Sequence, residues 1–93
     1  MQGISDSYGA FSEPFETNGQ QGLVTLHPEM IPANTGIAPT GRYHVYGIHP
    51  QYGTFTLIVD EDENGQWFSE MMPAFIDPEF ITWMGGRIEN YSK

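Results

Sequence analysis

The run Thr54-Phe55-Thr56-Leu57-Ile58-Val59, which leads through Asp60-Glu61-Asp62-Glu63 to Asn64-Gly65, constrains this chain more than any other feature. Side chains of a strand alternate between its two faces, so Phe55, Leu57 and Val59 share one side. Asn and Gly both tolerate the positive φ of a tight type I′ turn, and the dipeptide therefore predicts a hairpin that returns over Gln66 to Met72. With Asn64-Gly65 as a two-residue loop, Glu63 faces Gln66, Glu61 faces Phe68 and Leu57 faces Met72. That register predicts an apolar face of Phe55, Leu57, Val59, Phe68 and Met72. The other face carries Ile58, Asp60, Asp62, Trp67, Ser69 and Met71.

Two further elements flank this hairpin. Upstream, Arg42-Tyr43-His44-Val45-Tyr46-Gly47-Ile48-His49 is rich in aromatic and β-branched residues, and Pro50-Gln51-Tyr52-Gly53 ends it with turn chemistry. Downstream, Asp77-Pro78-Glu79 has the order of a helix start: a capping side chain, a proline at the first helical position and an acid in the first turn. At about 100° per residue, Phe80, Ile81, Met84, Ile88 and Tyr91 fall on one stripe that continues across Gly85-Gly86. A helix is therefore favoured there over a hairpin turning at the two glycines.

Residues 1–41 read differently. They are rich in Gly, Pro, Ser, Asn and Gln, and only 22–27 has the pattern of a strand. Tyr8, Phe11 and Phe15 argue against a wholly disordered tail. The expected organisation is one domain, with an extended Gly/Pro-rich arm over 1–41 and a sheet-plus-helix core over 42–93. The expected fold class is α+β, with a small antiparallel sheet of three or four strands and one C-terminal helix, because strands precede a helix without βαβ alternation.

Composition narrows the function. The chain has 93 residues, and a domain of that size buries only about 60–65% of its unfolded surface. With an aromatic content of 14%, rings must supply much of the core. Cysteine is absent, which excludes disulfides and thiolate metal sites within the chain. The formal net charge is −9, from Arg42, Arg87 and Lys93 set against twelve acids. Nucleic-acid backbones and anionic membranes repel such a chain, whereas a basic protein is attracted to it. The sequence shows neither a secretory leader nor an apolar run long enough to cross a bilayer, and a cytoplasmic location is the expectation.

Chemistry-bearing motifs are few. Asp60, Asp62 and Asn64, with Gly65, match the first half of a calcium loop. The bidentate glutamate belongs six residues after the glycine, where Met71 stands, and Glu70 is one residue early. Calcium is thus the alternative to an acidic, solvated hairpin tip, and no other cofactor is implied. His44 and His49 have opposite parity and point to opposite faces of a regular strand, and no paired-histidine metal spacing occurs. There is no G-x-S-x-G elbow and no thiol, and acids on an exposed turn lack the desolvation that general-acid work requires. Enzyme activity is not expected.

These features favour a small acidic protein-interaction module, such as an inhibitor or immunity-type protein that blocks a basic, nucleic-acid-binding partner. Asp60, Glu61, Asp62, Glu63, Glu70 and Trp67 are the expected contact residues. The alternatives are a calcium- or ligand-binding domain at 60–65, and an assembly subunit or homo-oligomer whose N-terminal arm adds a strand to a neighbour.

Overall fold

Asn18 (φ 52°) and Gly19 (φ 76°) both stand at positive φ, as a two-residue type I′ turn requires. They join β1 (Phe11–Thr17) to β2 (Gln20–Ala33), with Thr17 opposite Gln20. The structure, a computed structural model, describes residues 9–34 and 36–92. Residues 1–8 of the expected arm, Tyr8 among them, lie outside the described residues. Next come β3 (Gly36–His49), β4 (Gly53–Glu61), the two-residue β5 (Trp67–Phe68) and α1 (Pro78–Ser92). All neighbouring strands pair antiparallel in chain order, giving the five-stranded meander β1-β2-β3-β4-β5.

The fold is α+β, but the described residues form five strands rather than three or four. The additional strand material comes from the segment expected to form an arm, since residues 11–17, 20–33 and 36–41 all belong to strands. Proline was the misleading signal. Pro14 lies in the edge strand β1, Pro28 lies in β2 beyond its last pair with β1 at Leu26, and Pro32 and Pro39 lie in a ribbon in which β2 and β3 pair only with each other. A proline lacks a ladder donor, but on a strand with one free side that donor is not needed.

The hairpin at 60–68 differs from its expected register by one residue. Gly65 N–H donates to Asp62 O (3.0 Å) and Asp62 N–H to Gln66 O (2.9 Å), with Gly65 at φ 83°. The loop therefore has three residues, 63–65, and ends on a left-handed glycine. Phe68 now pairs with Asp60, and Trp67 with Glu61. Because side chains alternate with period two, this single step exchanges the faces of Trp67 and Phe68. Trp67, not Phe68, lies on the helix side.

The helix forms where its signals stand. Asp77 Oδ1 accepts the N–H of Phe80 at 2.9 Å, which satisfies one of the unpaired donors of the first turn. Ile81, Met84 and Ile88 from α1, with Ile76 before it, are buried against Val24, Leu26, Val45, Phe55, Leu57 and Val59 of the sheet. Each such aliphatic side chain contributes about 1.5–3 kcal/mol when fully buried. No polar side chain is buried among the described residues. Two contacts clamp β1 to the far end of the helix: Phe11 stacks on Tyr91 at 4.1 Å, and Arg87 Nε lies 3.3 Å from Glu13 Oε1.

Candidate functional site

Among the described residues a single helix covers one side of this sheet, and no element covers the other. The opposite side presents Leu23, Thr25 and His27 of β2, His44, Tyr46 and Ile48 of β3, and Thr54, Thr56 and Ile58 of β4, by simple alternation with the buried set. Its large apolar members are exposed: Ile48 is 55% accessible, Tyr46 52%, Ile58 40% and Leu23 39%. Isolated exposed apolar residues are ordinary; here they form a group on one face of the sheet.

The chain after β5 walls this face. Phe68, Ser69, Glu70 and Met71 stand beside Tyr46, Thr56 and Ile58 and enclose a groove of ≈ 440 Å³. Phe68 is 37% accessible and Met71 84%, so the wall itself offers apolar surface. Asp60 and Glu70 contribute carboxylates to the same groove. Glu61, Asp62 and Glu63 follow Asp60 out to the hairpin tip, and all are exposed.

The charges are unequally matched. Arg42 Nε pairs with Asp60 Oδ2 at 3.2 Å, and Arg87 pairs with Glu13. Among the described residues Glu61, Glu63 and Glu70 take part in no ion pair, so their charge faces solvent. Across the face, His44 Nε2 lies 3.0 Å from Glu29 Oε2, and Thr40 Oγ1 donates to Glu29 Oε1 at 2.8 Å. The hydrogen bond with His44, and then that from Thr40, hold the Glu29 carboxyl below its ordinary range.

The acidic loop is internally engaged. Asp62 Oδ1 accepts the N–H groups of Asn64 (2.8 Å) and Gln66 (2.9 Å), and Asp60 Oδ1 accepts that of Glu61 (3.0 Å). Two of the three expected calcium ligands are thus tied to their own loop or to Arg42. Among the described residues no three His, Asp or Glu side chains are grouped to hold a metal ion. Asp62 serves as the structural centre of the hairpin tip, and the geometry lends the calcium reading no support.

Trp67 stands apart from the other expected contact residues. Its ring packs over Gly85 of α1, and its Nε1–H donates to Glu89 Oε2 at 3.0 Å. The residues that sequence reasoning did not single out are Leu23, Ile48, Ile58 and Phe68. A signal for Leu23, Ile48 and Ile58 existed, because β2, β3 and β4 carry apolar residues at both parities (Leu23 beside Val24, Tyr46 beside Val45, Ile58 beside Leu57), as strands apolar on both faces do. His44 and His49 do lie on opposite faces, whereas His27 is the direct cross-strand partner of His44.

No helix among the described residues is long and apolar enough to cross a membrane. Comparison with protein-family models, with curated proteins and with solved structures finds no match.

Proposed function

We propose that this protein is a small acidic interaction module that docks a basic protein on the uncovered face of its sheet. The observation that carries this reading is the placement of Tyr46, Ile48, Ile58, Phe68 and Met71, all exposed, beside the unpaired carboxylates of Glu61, Glu63 and Glu70. An apolar centre with a charged rim is the usual anatomy of a protein interface. The net charge of −9 selects basic partners and accelerates their encounter. Carboxylates spaced along a protruding hairpin suit a surface that otherwise holds phosphates, and an inhibitor of a nucleic-acid-binding protein is the form of partner favoured. No catalytic role is proposed.

The test is to capture a basic protein from cell lysate on this chain and to measure its association rate as salt is varied. Replacing Glu61, Glu63 and Glu70 together by glutamine should slow association about tenfold at low salt and flatten the salt dependence, because long-range steering acts mainly on the on-rate. Asp62 is left intact so that the loop keeps its shape. An unchanged rate contradicts the proposal.

A further inference from the structure

At the end of the sheet away from the acidic loop, a second cavity of ≈ 460 Å³ opens between β1, the end of β3 and the start of the helix. Its size falls in the range of small-ligand sites. Aromatic rings dominate its walls: Phe15, His49, Phe75, Phe80 and Trp83. The four carbocyclic or indole rings are only partly buried, although they are among the largest apolar groups in the chain. Their planes are set at steep angles. Phe80 and Trp83 lie nearly parallel (17°), while Phe15 stands at 69° to the first and 67° to the second. Phe75 meets His49 at 69°. Phe80 and Trp83 stack on each other and Phe75 stacks on Tyr52 (4.5 Å), so each of these three has one face covered and one left for a ligand.

The electrostatics of this cavity have one sign. His49 Nδ1 accepts the N–H groups of Gln51 (3.0 Å) and Tyr52 (3.3 Å). Among the described residues no lysine or arginine lines the cavity, and two carboxylates do: exposed Glu16 on β1 and Asp77, whose Oδ1 also caps the helix. The first turn of α1 opposes this with about half a positive charge, which the full negative charge of Asp77 outweighs. π-faces and carboxylates together suit a soft, weakly hydrated cation and disfavour an anion.

We infer that this cavity is a binding site for an alkylated ammonium group, of the kind carried by choline or by a methylated lysine. The two sources share one chemistry: a positive charge spread over methyl groups that also fill apolar space. The site is separate from the uncovered sheet face and does not depend on its role.

The experiment is a titration of the intact protein with choline, with its neutral isostere 3,3-dimethylbutan-1-ol and with an N-acetylated trimethyl-lysine amide, followed by NMR. The indole N–H of Trp83 should shift while that of Trp67, packed on Gly85, stays still. At least one of the two cations should bind about fivefold or more tightly than the isostere. The tighter of the two cations identifies the source as a free molecule or a protein side chain. Asp77→Asn keeps a competent helix cap and removes one of the two charges, so it should weaken the cation severalfold and leave the isostere unaffected. Phe80→Leu should weaken the cation as well. Equal binding of cation and isostere, no shift at Trp83, or indifference to Asp77→Asn overturns the inference.

Discussion

The ring of Trp67 occupies the space that a β-carbon on Gly85 would need: Cδ1, Cγ and Nε1 of the indole would all collide with it. This contact and the Trp67–Glu89 hydrogen bond join the short strand β5 to the helix, and both depend on the one-residue register step in the 63–65 loop. Gly86, one position further on, has nothing within 4 Å of its would-be β-carbon.

The two adjacent glycines should therefore respond oppositely to alanine. Gly85→Ala should destabilise by about 1–3 kcal/mol, because the indole must move out of a packed site. Gly86→Ala should stabilise by about 0.5–1 kcal/mol, through helix propensity and a less flexible unfolded chain. Urea denaturation of the two variants checks both signs.

Asp62 is predicted to be structural. Asp62→Ala removes the acceptor of two loop N–H groups and should cost about 1 kcal/mol, with faster amide exchange at Asn64 and Gln66. Millimolar calcium should leave the melting temperature of the native protein unchanged. A clear rise would show that the loop carboxylates are free to bind a cation.

Much of the local structure was legible in the sequence. The cap at Asp77, the helical stripe, the alternation of β4 and the turn after His49 all follow from residue type and spacing. The register of β5 was not legible in the same way, because Asn-Gly fits both a two-residue turn and the end of a three-residue one. At 18–19 the dipeptide makes the first; at 64–65 the carboxylate of Asp62 recruits the N–H groups of Asn64 and Gln66 and favours the second. The strands of the first forty residues were obscured by prolines that the sheet tolerates on free edges. The candidate face emerged only partly, since its acids were visible as a run while Leu23, Ile48 and Phe68 needed the pairing to be known.

Stability should also depend on pH through Glu29. Its folded carboxyl titrates below the ordinary 4.5, chiefly because His44 and Thr40 hydrogen-bond the charged form. A depressed carboxyl contributes stability that is fully present above its unfolded pKa and is lost as pH falls through the folded value. The contribution should therefore fade as pH falls below 4.5. Thr40→Val should move the Glu29 titration, followed by carboxyl NMR, back toward its ordinary position. An unmoved titration would mean that the Thr40 bond plays no part.

The central claim is that the uncovered face binds the partner, and hydroxyl-radical footprinting of the complex tests it most directly. Met71 and Tyr46, 84% and 52% accessible, should label rapidly in the free protein and be strongly protected when the basic partner retained from the cells' own lysate is bound. Tyr91, 53% accessible and stacked on Phe11 at the helix end, should label equally in both states. A complex in which Met71 and Tyr46 label as fast as in the free protein, with protection at Tyr91 instead, would contradict the account.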